Sequence, residues 1–323
     1  MVESHHRGAV AVVDADGRTV FALGNVNRLI YPRSAIKALQ ALPLVESGAV
    51  DRFGLLEQHL AIACASHGGE PDHVATVVEM LGCAGLDGSA LRCGAHWPLN
   101  EASAHALARS GSVPAALHNN CSGKHAGFLC MARAMGIDHR SYFKLADPVQ
   151  REIKAAIEGM AGRSLSDEYS AIDGCSVPTW ALPLTDLALA FARFGTGHSI
   201  APERAKAAAR LREACASRPW HVAGTGRFCT QLMQWFGPRV FVKLGAEGVF
   251  CGALPVEGLG IAIKCDDGAV RAAEVMMAAV IDRFLQGCES ARPLLQELLR
   301  PKLHNWNGTA VGELRPTGLT DEA

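Results

Sequence analysis

Residues 8–23 read GAVAVVDADGRTVFAL: an apolar run, an Asp-Gly pair at 16–17, and a second apolar run. Asp-Gly supplies turn residues that tolerate a left-handed backbone, and flanking stretches rich in Val, Thr and Phe favour extended chain. The segment therefore predicts a β-hairpin. A lone hairpin is marginal in water and needs further strands or a packed face. The next stretch of the same character lies far along the chain, at 239–265. There RVFVKLG, GVFCGALP and LGIAIKC run apolar between glycine-bearing turns.

Almost everything between these two regions has helical spacing. Apolar positions recur with a helical period over 34–47, 74–82, 124–135, 147–160, 180–193, 202–216 and 226–235. A further helix over 269–286 follows the last strand, with Val270, Ala273, Val275, Met276, Val280 and Phe284 on its apolar positions. Strands at both ends and helices in the middle predict an α/β fold of the α+β type. The N-terminal hairpin joins the C-terminal strands in one antiparallel sheet, covered by terminal helices. The expected organisation is a single domain over 1–323, with a sheet lobe of about 1–33 and 237–323 and a mainly helical lobe of about 50–236.

Composition narrows the function class. The chain has 323 residues, 49% hydrophobic and 20% charged, with a formal net charge of −1. Such a balance carries no electrostatic footprint for nucleic acid or an anionic membrane. No apolar run reaches the roughly 20 residues that a membrane helix needs, and the polar start, MVESHH, does not read as a secretory signal. A soluble cytoplasmic protein acting on a small molecule is expected. The 11 cysteines are an odd number in a chain too long to need disulfide staples. Most sit in apolar runs and read as small buried hydrophobes. Cys121 and Cys175 stand apart, each in a loop rich in Gly, Asn or Asp.

Four polar clusters can carry chemistry. In Tyr31-Pro32-Arg33-Ser34-Ala35-Ile36-Lys37, Pro32 stops any upstream element and a helix begins. Residues three apart share a helix face, so the Ser34 hydroxyl and the Lys37 amine can meet. A lysine can activate a serine if burial or a second cation brings its pKa towards neutrality, and AIKALQALPL is apolar enough for that. S-x-x-K alone also fits an N-terminal serine followed by a surface lysine. In Cys64-Ala65-Ser66-His67-Gly68-Gly69-Glu70, an apolar run breaks into a loop whose paired glycines let backbone approach a ligand; a plain helix cap is the competing reading. In His118-Asn119-Asn120-Cys121-Ser122-Gly123-Lys124-His125, polar groups crowd a helix start, and Cys121 with His125 has a metal-ligand spacing on a helix. No G-x-x-x-x-G-K-[ST] pattern is present, which rejects a phosphate loop. In Asp173-Gly174-Cys175-Ser176, a carboxylate and a thiol arrive together at a turn. Finally, Lys243 ends a strand before the loop GAEG; Lys264 competes but precedes an exposed Asp-Asp-Gly turn.

Taken together, YPRSAIKALQALP, CASHGGE, HNNCSGKHAGFL, IDGCSVPTWALP, GTGRF and KLGAEGVFCGALP resemble the L-asparaginase II family, in order from about residue 31 to 265, and the tail GTAVGELRP fits as well. The resemblance implies a fold like serine β-lactamases and glutaminases, a homodimer, and hydrolysis of L-asparagine to L-aspartate and ammonia through a β-aspartyl ester. It also implies two Ser-Lys tandems, Ser34 with Lys37 and Ser66 with Lys243. It further implies zinc on Cys121, Lys124 and Cys175 with water as fourth ligand, positioning substrate or holding loops together. Arg33, His125 and Asp173 are then candidates for gripping the substrate's head group. Chemistry alone pairs Cys121 and Cys175 with His125 rather than with a lysine. Three other readings compete: a β-lactamase or penicillin-recognising protein, although S-D-N and K-T-G are missing; a zinc hydrolase activating water; and a non-catalytic amino-acid or zinc-binding module.

Overall fold

A computed structural model describes residues 1–288 and 291–319. Its centre is a five-stranded antiparallel sheet in the order Thr19–Leu23, Gly8–Asp14, Leu259–Cys265, Val249–Leu254, Phe241–Leu244. The two ends of the chain therefore meet as the sequence predicts, with Ala11 opposite Ala262 in the register. The hairpin turn is held by Asp14, whose Oδ1 accepts from the backbone N–H groups of Asp16 and Arg18 at 3.1 and 2.9 Å.

Burial explains the sequence pattern of the strands. Thr19–Leu23 is an edge strand and largely exposed, whereas Ala9 to Val13 and every residue of Val249–Leu254 are buried. A strand covered on both faces has no polar face, so it reads as a continuous apolar run rather than an alternation. The two covers are different helices. Gly252 faces Met277 of helix Val270–Phe284, while its neighbour Ala253 faces Gly195 of helix Leu184–Thr196. Successive strand residues point to opposite faces, so these helices lie on opposite sides.

Only one of these covers is a terminal helix, which differs from the sequence expectation. The second comes from the middle of the chain and lies directly on the sheet at Gly260. A Cβ there would sit 2.0 Å from the Ala188 carbonyl oxygen and 2.2 Å from the Ala192 nitrogen. That helix also starts later than the apolar spacing suggests. Pro178–Trp180 and Leu182–Pro183 are short strands, paired with Ser170–Ile172 and Leu29–Ile30.

The expected helix over 34–47 is broken into a 3-10 turn, Arg33–Ile36, and two short helices, Lys37–Gln40 and Leu42–Glu46. Pro43 is the physical reason for the break at Ala41: it has no N–H to continue the helical hydrogen-bond ladder and is tolerated only in the first turn of the helix that follows. The remaining helices, including Glu57–Ala63, Pro71–Cys83, Ser122–Met135, Pro148–Ala161 and Pro202–Ser217, pack around one another beside the sheet. Among the described residues, no helix is long and apolar enough to cross a membrane.

Candidate active site

Four loops converge where the sheet meets the helices. The first begins at Arg33, whose φ of 52° is a left-handed conformation that costs free energy for a residue with a large side chain. The chain then closes a 3-10 turn, with the Lys37 N–H donating to the Ser34 carbonyl. Residues three apart eclipse in such a turn, which keeps Ser34 and Lys37 on one side. Ser34 is half-buried and Lys37 fully buried.

The Lys37 amine is directed past Ser34. Among the described residues no hydrogen bond links it to Ser34 Oγ. It donates instead to the Ala65 carbonyl at 2.5 Å, to Ser66 Oγ at 3.0 Å and to the Asn120 carbonyl at 3.4 Å. Three acceptors thus surround this amine.

Lys243 reaches the same hydroxyl from the sheet. Its Nζ lies 2.8 Å from Ser66 Oγ and 2.8 Å from the Leu244 carbonyl. The approach depends on Gly245, the next residue but one. A Cβ at Gly245 would lie 2.8 Å from the Pro32 carbonyl oxygen and 3.0 Å from the Ala35 nitrogen, so only glycine lets the strand end press against the Ser34 turn. Burial first, and the Lys37 ammonium second, pull the Lys243 amine down to about 7; the Cys229 and Cys121 thiols oppose this and Arg227 adds to it. Ser66 therefore sits between two buried amines, one of which can be neutral near physiological pH.

Backbone contacts fix that serine. The Ser66 N–H donates to the Val222 carbonyl at 2.9 Å, and the His67 N–H to the Asn120 carbonyl at 3.3 Å. His67 is fully buried: its Nδ1 accepts from the Gly69 N–H at 3.1 Å, which leaves Nε2–H to donate to Ser122 Oγ at 2.9 Å. Burial holds this imidazole well below its ordinary pKa, so it acts as a neutral strut. Glu70 ties the loop to the GTGRF segment, accepting from the Thr225 N–H at 2.9 Å and from its hydroxyl at 2.6 Å.

A second group of side chains lies beside the amines. Lys124 Nζ donates to Cys175 Sγ at 2.9 Å, and the Cys121 thiol donates to the same sulfur. That thiol–thiol hydrogen bond, with Lys124 adding to it against burial, lowers Cys175 to about 5, so its sulfur is a thiolate at neutral pH. The same bond, together with burial, pushes Cys121 up to about 12. Burial works to lower Lys124, but the two sulfurs outweigh it and hold the amine above its usual value. Two sulfurs and an amine, all buried, with Cys175 hydrogen-bonded to both of the others and its sulfur already ionised, are a donor set that fits a zinc ion. Binding would displace the remaining protons from Cys121 and Lys124.

The three candidate head-group residues surround this set. Arg33 Nε and Asp173 Oδ1 form an ion pair at 2.5 Å, with Arg33 about a quarter exposed. Burial would raise the Asp173 carboxyl, but Lys124 first and Arg33 next hold it below its usual range. His125 is wholly buried. Tyr142 O–H accepts from the Arg92 N–H at 2.9 Å and lies 2.6 Å from His125 Nδ1, the acceptor that its own proton faces. The other ring nitrogen, Nε2, has no hydrogen-bond partner among the described residues. Burial, with Lys124 adding to it, lowers His125 to about 3, so the ring is neutral.

The structure thus gathers Lys37, Ser66 and Lys243 in one hydrogen-bonded group, Cys121, Lys124 and Cys175 in a second, and Arg33 with Asp173 in a third. Ser34 stands beside the first group without a bond to it. Sequence reasoning missed the carbonyls of Ala65 and Asn120, the strut His67, and Tyr142. His67 lay inside a segment already singled out; nothing in the sequence marks Tyr142.

Comparison with known proteins gives one positive result at the level of sequence. No curated protein sequence matches the chain. Among solved structures, it is similar to a beta-lactamase from Mycobacterium bovis, at 15% identity and a TM-score of 0.41 over 86% of this chain and 94% of that one. It is also similar to Mglu, at 17% identity and a TM-score of 0.39 over 87% of this chain and 68% of that one. The description of one family, L-asparaginase II, matches residues 1–316. That span takes in both serine loops, both lysines and both sulfur-bearing loops, and on it the chain belongs to the L-asparaginase II family.

Proposed function

We propose that this asparaginase-type hydrolase converts L-asparagine to L-aspartate and ammonia through an ester on Ser34. The observation that carries the reading is the Ser66 hydroxyl, 3.0 Å from Lys37 Nζ and 2.8 Å from Lys243 Nζ, with the second amine at about 7. Ser34 Oγ attacks the side-chain amide carbon. Before the attack Lys37 passes a proton to Ser66 as Ser66 passes one to Lys243, which begins neutral. The Lys37 amine, now neutral, turns to Ser34 and takes its proton as the C–O bond forms. The relay then runs backwards: a proton returns to the amide nitrogen, the C–N bond breaks, and ammonia leaves. Water attacks the β-aspartyl ester by the same route, releasing aspartate and restoring the Ser34 hydroxyl.

Asp173 would pair with the substrate's ammonium group, and Arg33 and the free His125 Nε2–H with its carboxylate. Zinc, held by Cys121, Lys124 and Cys175, would supply a fixed positive charge beside the head-group site. The homodimer that the resemblance implies, and the cytoplasmic setting read from the sequence, belong to the same proposal.

The test is ammonia release from L-asparagine, with L-glutamine as control, by wild type, Ser34→Ala and chelator-treated enzyme. The expected result is turnover of asparagine that Ser34→Ala abolishes. A second reading, zinc-activated water, is favoured by a metal set of three protein ligands, which leaves one position open. Full activity in Ser34→Ala together with its loss on chelation would establish that reading and overturn the serine ester.

A further inference from the structure

Far from the two serines in sequence, the end of the central sheet brings together a second set of metal-ligating groups. Gly8 pairs with Cys265, so the N-terminal segment runs beside the turn that follows strand Leu259–Cys265, and the Asp266 N–H donates to the Arg7 carbonyl at 2.7 Å. His6 Nδ1 lies 2.6 Å from Asp267 Oδ2, and Cys265 Sγ lies 2.9 Å from Asp267 Oδ1. One ligand atom from each of the three side chains falls within 4.8 Å of the others. The neighbouring carboxylate, Asp266, is taken up by Arg28, whereas among the described residues Asp267 meets the imidazole, the thiol and the Ala269 N–H.

We propose that His6, Cys265 and Asp267 form a metal site distinct from the sulfur set at Cys121 and Cys175, taking a divalent ion of the zinc class and clamping the N-terminal segment to the sheet. An imidazole, a thiolate and a carboxylate are a ligand set for a borderline-soft cation, with water as the fourth ligand. The proton balance is simple. Cys265 releases its thiol proton to solvent. Arg271 donates to His6 Nε2 at 3.0 Å, so the metal-free ring carries its proton on Nδ1. On binding, that proton moves to Nε2, and Arg271, exposed on the first turn of helix Val270–Phe284, turns into solvent. The thiolate and carboxylate then neutralise the ion.

The experiment strips the full chain with chelator, restores it with zinc chloride, removes excess by gel filtration, and counts zinc per chain by atomic emission in wild type, His6→Ala and Cys265→Ser. Both variants should hold about one zinc fewer than wild type. His6→Ala guards against a folding defect from replacing the buried cysteine. Absence of zinc from the sulfur set at Cys121 would lower all three proteins alike and leave the difference intact. Equal zinc content in all three would overturn the site and leave a hydrogen-bonded latch.

Discussion

A buried lysine amine is costly to charge, and at Lys243 the nearby Lys37 ammonium adds repulsion to that cost. The relay needs Lys243 neutral, so activity is full above its pKa and is lost as pH falls through it. kcat/KM for asparagine should fall by about tenfold per pH unit below roughly pH 7 and level off above; a pH–rate profile checks this, and Lys243→Met should remove the limb along with most activity. A profile flat well into the acid range would place the base elsewhere. Ser66 is the only hydroxyl that touches both amines among the described residues. Ser66→Ala should lower kcat by about 10²–10⁴ with little change in KM, since no substrate contact is assigned to it; steady-state kinetics decide.

At the scale of elements, the sheet is positioned by how closely helix Leu184–Thr196 lies on it. Gly260 has no room for a methyl group between its own strand and the Ala188–Ala192 backbone. Backbone cannot rotate away as a side chain can, so Gly260→Ala should destabilise by about 1–3 kcal/mol or more, seen as a lower Tm. An unchanged Tm would mean that the helix is free to shift. Gly245 makes the corresponding contact next to Lys243, but there a substitution would move the strand end against Ser34 and damage chemistry as well as packing. The broken helix after Ser34 serves the site too: Pro43 shortens it, and the left-handed Arg33 turns the guanidinium towards Asp173.

Across the whole molecule, the sheet was legible because its strands are apolar runs bounded by turn residues, and because a lone hairpin at 8–23 had to find partners. The cover from helix Leu184–Thr196 was not legible, since local periodicity says that a segment has an apolar face and not what the face meets. The helical spacing over 180–193 takes in Trp180 and the short strand Leu182–Pro183 for the same reason. At the site, residue types and loops were readable but partners were not. Three-residue spacing joins Ser34 to Lys37 on one face, yet the amine bonds Ser66, Ala65 and Asn120 across long sequence separations. Chemistry alone pairs the sulfurs with His125, and the structure adds Tyr142, unmarked in the sequence, on its Nδ1 while Nε2 has no partner among the described residues.

The central claim is a covalent ester on Ser34, and trapping it tests the account most directly. Wild-type enzyme is mixed with asparagine, quenched in acid within a turnover, and digested for peptide mass mapping. The account predicts a β-aspartyl adduct on the peptide carrying Ser34, absent from Ser34→Ala. An adduct on Ser66, or undiminished turnover in Ser34→Ala with no adduct anywhere, would contradict it.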